Sequence, residues 1–131
     1  MKKKKVLDSF ALLAYLKMEG TFEKVKGLLA AEDTPLLMNE INLGETYYIL
    51  ARERGMEKAE YFIATILPSL SIKSVSNNFQ DVLQAARIKA EYSIAYADCF
   101  AAATAIKAEA SLVTGDPEFK KVQKIVEIDW M

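Results

Sequence analysis

A short apolar run, Val6-Leu7, ends on an acid at Asp8, and from Ser9 onward the apolar spacing turns helical. The chain repeats this near its other end, in Ser111-Leu112-Val113-Thr114-Gly115-Asp116. No other feature constrains the fold as tightly. An Asp at a strand-to-helix turn is a favoured N-cap. In an open α/β sheet such turns lie outside the carboxyl ends of the strands, which is also where ligands bind. If both runs are parallel strands of one sheet, Asp8 and Asp116 stand at the same edge.

The rest of the chain keeps the alternation. Residues 2–7 read as strand one, and 9–18 as a helix ended by Gly20. Thr21 can cap a second helix carrying Phe22, Val25, Leu28 and Leu29 at helical spacing. Residues 35–38 form a short buried strand, and Asn39 caps a long helix over 40–54 that Gly55 closes. A helix over 57–67 follows, with Pro68 preventing its continuation. Residues 70–75 are strand three. Ser76-Asn77-Asn78 starts a helix with Phe79, Val82, Leu83 and Ala86 at i, i+3, i+4 and i+7. An alanine-rich helix over 95–110, a strand over 111–114, a turn or two of helix over 117–122 and an edge strand over 125–130 complete the order. Short apolar strands alternating with helices predict βαβ units, a parallel sheet and helices on both of its faces. With 131 residues and no linker or repeat, residues 1–131 are expected to form one domain.

Composition narrows the chemistry. There is no histidine, which removes histidine general bases, Ser-His-Asp devices and the usual zinc sites. The net charge of −1 supplies no global basic field for nucleic acid. One cysteine, Cys99, excludes an internal disulfide and fits a reducing compartment. No apolar run approaches the ~20 residues of a membrane span. The lysine-rich start is not expected to act as a signal sequence, because Asp8 interrupts the apolar stretch after it and no small-residue cleavage site follows. A cytoplasmic protein is expected.

Carboxylates are therefore the reagents to weigh. Asp98 falls at the start of the alanine-rich helix, with Ala101, Ala102 and Ala105 on its side. That small-residue face can press on a sheet and turn Asp98 inward, although an acid there is also favoured by the helix dipole. Glu45 lies one turn into its helix after Gly44, and Glu40 competes with it from the first turn; periodicity leaves the two open. Four carboxylates at one sheet edge could not all ionise without a cation. Hard oxygen ligands suit Mg²⁺ or Mn²⁺. Such an ion activates water and clamps phosphoryl oxygens without help from histidine.

The stretches Asp8-Ser-Phe-Ala-Leu-Leu-Ala-Tyr-Leu, Asn39-Glu-Ile-Asn-Leu-Gly-Glu45, Ala97-Asp98-Cys-Phe-Ala-Ala-Ala-Thr-Ala and Val113-Thr-Gly-Asp116-Pro-Glu-Phe resemble the successive motifs of PIN-domain ribonucleases. The resemblance runs nearly end to end and is nearest to the toxins of VapBC toxin–antitoxin pairs. It implies a three-layer α/β/α fold with a five-stranded parallel sheet in the order 3-2-1-4-5. It implies that Asp8, Glu45, Asp98 and Asp116 hold Mg²⁺ or Mn²⁺ and cut RNA, with Thr114 in support, and so selects Glu45 over Glu40. It further implies a homodimer and a cognate antitoxin whose tail reaches the acidic groove. Glu118 falls at a less constant position and is left out of the set.

Other residues have plainer readings. The run Lys2 to Lys5 could touch an RNA backbone, but such a run is more often a solvated terminus. Arg52, Arg54, Lys73, Arg87 and Lys89 form a patch only if the fold gathers them. Tyr47, Tyr48, Tyr61, Tyr92 and Tyr96 suit packing better than base stacking, and Cys99 suits a buried hydrophobe. The helices over 40–67 carry surplus apolar area that would mark an oligomer or partner surface. A haloacid-dehalogenase-type phosphohydrolase would want an acid where Phe10 stands, and a receiver would want one at Ser9. A non-catalytic PIN-like RNA- or protein-binding module is the remaining alternative.

Overall fold

A computed structural model describes residues 3–131; Lys2, at the start of the expected first strand, lies outside them. The strands are β1 (Lys5–Leu7), β2 (Leu36–Asn39), β3 (Lys73–Val75), β4 (Ser111–Thr114) and β5 (Ile128–Trp130). They form one parallel sheet in the order β3-β2-β1-β4-β5. The order is the expected one, with β1 central. Val6 pairs with Leu37 on one side and Leu112 on the other, and Leu7 with Val113.

Because side chains alternate across a strand, neighbours in β1 and β4 enter different cores. Val6 and Leu112 join the cluster under α6 (Phe79–Glu91) and α7 (Tyr96–Ala108), with Ile88, Phe100 and Phe119. Leu7 and Val113 join the cluster under α1 (Ser9–Lys17), α2 (Phe22–Ala30) and α3 (Glu40–Arg54), with Leu12, Val25, Met38, Leu43 and Phe62. Helices therefore cover both faces of the sheet. Ala101, Ala102 and Ala105 are fully buried, so α7 comes close to the strands along its small-residue face.

The caps explain most boundaries. Asp8 caps α1, Asn39 caps α3 through the Ile41 amide, and Asn78 with Asp81 forms a capping box on α6. Gly55, at φ +97°, closes α3. Two expectations are corrected. The first helix stops at Lys17 because Met18, ahead of Gly20, takes the left-handed conformation and caps it. The helix after Gly55 does not end at Pro68. It runs as α4 (Met56–Tyr61), widens into a π turn over Phe62–Ile66, and continues as α5 (Leu67–Ser69) with Pro68 in its first turn. The wider turn, in which the Leu67 amide reaches back to the Phe62 carbonyl, loosens the ladder where proline lacks a donor. Strand three is also shorter than its apolar run: Leu70 and Ile72 pack under the sheet without joining it.

Lys5 belongs to the strand layer. With Lys24 it brackets Asp129 of β5, Lys5 Nζ lying 2.9 Å from Asp129 Oδ2. The two ammonium groups hold that carboxyl below the usual range against its burial.

Candidate active site

Asp8 leaves the carboxyl end of β1 and is 1% exposed. Its Oδ1 accepts from the Ala11 amide at 2.8 Å, the N-cap bond that starts α1. Its Oδ2 accepts from the Thr114 hydroxyl at 2.5 Å. Thr114 ends β4, the neighbour of β1, and its Oγ1 also accepts from the Asp116 amide at 3.0 Å. One buried hydroxyl thus ties the two strand-end acids together. Asp116 in turn caps the 3₁₀ turns Pro117–Val122 by accepting from the Glu118 amide at 3.0 Å.

Asp98 occupies the first turn of α7 and is half-buried. Glu45 comes from α3, and its Oε1 accepts from the Ser9 hydroxyl at 2.5 Å. These groups act on one another electrostatically. Burial pushes Asp8 up to about 7 against the Thr114 and Ala11 hydrogen bonds, with Asp98 and Asp116 adding to the rise. Burial also pushes Asp98 up to about 7, followed by repulsion from Glu45, Asp116 and Glu118, with Lys89 opposing. Burial and mutual repulsion thus both favour the protonated forms of Asp8 and Asp98, the behaviour of carboxylates crowded without a counter-charge. Glu40 is exposed in the first turn of α3 and is not among the charges felt by Asp98. Glu118, set aside in the sequence reading, is among them, although it is exposed and paired with Lys121 at 2.6 Å.

Two contributors are invisible as motifs. Ser9 looks like an ordinary first-turn residue until the fold sets it against Glu45. Asn42 is fully buried on α3, and its Nδ2 donates to the Ala97 carbonyl at 3.0 Å, fixing the start of α7 beside α3. Its Oδ1 has no hydrogen-bond partner among the described residues. An asparagine on a core-facing helical stripe was the available signal. Cys99 is buried beside Asp98, and its thiol is pushed up by burial, as expected of a buried hydrophobe. Of the basic residues, Arg52 stacks on Tyr48, Arg87 bonds Gln84, and Lys89 acts on Asp98 electrostatically.

The profile of the PIN-domain family matches residues 5–125. The chain belongs to the PIN-domain family. The match spans all four acids and the Thr114 bridge of this PIN domain. Solved structures agree in fold. VapC20 of Mycobacterium tuberculosis, described as a Sarcin-Ricin loop cleaving toxin, superposes with a TM-score of 0.75 at 19% identity, over 95% of this chain and 98% of that one. VapBC2 of Rickettsia felis, solved with a DNA fragment of its promoter, gives 0.74 at 18% identity, covering 98% of both chains. VapBC-1 of nontypeable Haemophilus influenzae gives 0.71 at 16%, over 98% of this chain and 96% of that one. No protein of the curated set is significantly similar in sequence.

The donor set of this PIN domain fits a hard divalent cation in kind, all four acids offering carboxylate oxygens. Among the described residues no three such side chains are already drawn together as a ligand cage.

Proposed function

We propose that residues 1–131 act as a single PIN domain that hydrolyses RNA internally with Mg²⁺ or Mn²⁺, as the toxin of a type II toxin–antitoxin pair. The observation that carries this reading is the buried strand-end acid Asp8, tied through the Thr114 hydroxyl to the Asp116 amide, with Asp98 and Glu45 near enough to add to the repulsion. Such crowding is costly unless a cation is to be received.

Asp8, Glu45, Asp98 and Asp116 are the ligand and catalytic candidates, and Thr114 is their support. Thr114 keeps Asp8 Oδ2 directed and Asp116 in register; Ser9 does the same for Glu45. When bound, the ion would activate water and neutralise the phosphate's charge. The carboxylates would orient the attacking water and accept its proton. The bond between phosphorus and the 3′-oxygen breaks, and that oxygen takes a proton from solvent, leaving a 5′-phosphate and a 3′-hydroxyl. A cognate antitoxin would place an Arg or Lys of its tail among the same acids. The toxins of the VapBC complexes are the relatives by fold that favour such a partner. Ile41, Tyr48, Met56, Tyr61 and Ile63, all exposed on the α3–α4 side, favour homodimerisation there. Among the described residues no helix is long and apolar enough to cross a membrane; a cytoplasmic site of action agrees with the RNA substrate.

The test is cleavage of total RNA with and without Mg²⁺ or Mn²⁺, with end-group analysis. Divalent-dependent cleavage lost in Asp98→Asn supports the enzyme. Wild-type cleavage by Asp98→Asn overturns the site, and no cleavage under any divalent ion leaves the non-catalytic PIN-like module.

A further inference from the structure

A cavity of about 500 Å³ is lined by residues of α1 and α3, some of them next in sequence to the acids. Phe10, Leu13 and Lys17 reach it from one face of α1, and Ile49 and Glu53 from α3, with Gly115 at one end. It is continuous with the candidate site along the chain. Phe10 follows Ser9, Gly115 lies between Thr114 and Asp116, and Ile49 and Glu53 stand four and eight residues beyond Glu45. Two bridges bracket it: Ser9 to Glu45, and Lys17 Nζ to Glu53 Oε1 at 3.0 Å. Eight helical residues separate the bridges on each helix, about 12 Å of rise.

Phe10 is the unusual element. A large aromatic at 43% exposure stands next to a site of carboxylates. Its edge is fixed against Gly115: a Cβ there would sit 2.4 Å from Phe10 Cε1. The ring is held on one side by Gly115 and is otherwise half-exposed, lining the cavity. The far rim offers no free cation, because Lys17 is paired with both Glu53 and Glu19. The cavity is therefore unsuited to a phosphate and suited to an uncharged planar group with a polar edge.

We infer that this cavity receives the nucleobase next to the scissile phosphate, stacked on the Phe10 ring, whose position depends on the absence of a side chain at Gly115. The inference rests on the RNA-cleaving reading above. A base is preferred to an apolar peptide side chain because the half-exposed aromatic of the cavity directly follows Asp8-Ser9, next to the acids that would handle the phosphate. Stacking of this kind tolerates any base, so the cavity sets where the strand lies more than which sequence is cut.

The test uses single-stranded decaribonucleotides of randomised sequence with 2-aminopurine at one central position, titrated with the full chain in Ca²⁺. Fluorescence quenching reports stacking independently of cleavage. The expected result is quenching that weakens about tenfold or more in apparent affinity for Phe10→Ala and Phe10→Leu. It should be restored by Phe10→Trp and diminished by Gly115→Ala, whose methyl displaces the ring. In the cleavage assay, Phe10→Ala should raise KM, and an abasic nucleotide beside the cleaved bond should make the two losses non-additive. Folding is checked by thermal denaturation, and Phe10→Leu keeps the apolar bulk. Unchanged quenching and KM in Phe10→Ala and Phe10→Leu overturn the inference while the nuclease reading stands. Loss of binding to a protein partner alone assigns the cavity to that partner and also overturns it. Phe10-dependent quenching without cleavage under any divalent ion removes the scissile phosphate, and so overturns the inference together with the nuclease reading.

Discussion

The Thr114 hydroxyl donates to Asp8 Oδ2 at 2.5 Å while accepting from the Asp116 amide at 3.0 Å, so one buried oxygen sets two acids on neighbouring strands. Thr114→Val keeps the shape and removes both bonds. It leaves a carboxylate oxygen and an amide without partners, at a cost of about 1–3 kcal/mol. Thr114→Ser should keep most of the stability. Urea denaturation in metal-free buffer measures the difference, which should be larger at pH 8 than at pH 5, since Asp8 is charged only at the higher pH. Equal stability of the Val and Ser variants at both values would mean the bridge does not hold Asp8.

Metal-free stability should fall as pH rises from about 4 to about 7. Asp8 and Asp98 have ordinary values of 3.8 that rise to about 7 in the fold. In that window the folded state binds more protons than the unfolded one, so raising pH favours unfolding. The contribution is complete below pH 4 and gone above about 7. Chemical denaturation across that range, with EDTA present, reads the slope. A flat or rising profile in wild type that matches Asp98→Asn would contradict the crowding.

Mg²⁺ or Mn²⁺ should raise the melting temperature, because a ligand of the folded state stabilises it. Asp98→Asn should raise the metal-free melting temperature by roughly a few degrees by removing one repelling charge. The same substitution should abolish both cleavage and the response to metal. Calorimetric scans of the two proteins with and without divalent ion decide this. A response preserved in full by Asp98→Asn would remove that residue from the ligand set.

Inhibition by the antitoxin should weaken as Mg²⁺ is added, since its basic residue and the ion would compete for Asp8, Glu45, Asp98 and Asp116. Residual cleavage followed over a Mg²⁺ titration, with the partner's Arg or Lys intact and changed to Ala, tests the competition. Inhibition equally strong at every Mg²⁺ level, and indifferent to that change, would place the partner elsewhere.

The local sequence fixed much of this architecture by itself. Val6-Leu7-Asp8 and Leu112-Val113-Thr114 could be read as strands because a parallel strand covered on both faces is apolar throughout. Asn39 and Asn78 could be read as caps because their side chains satisfy amides a few residues away. Such bonds are local, and so is the signal. The π turn before Pro68 was not legible, because continuing a helix there depends on what Phe62 and Leu67 pack against. The order of the sheet and the choice of Glu45 over Glu40 came from family likeness, since periodicity put both glutamates on plausible faces. Tertiary structure alone set Ser9 against Glu45, Asn42 against Ala97 and Phe10 against Gly115. Those contacts join residues from 36 to more than 100 positions apart. Long-range pairing is decided by how whole elements pack, whereas caps and strand runs are decided by their own few residues.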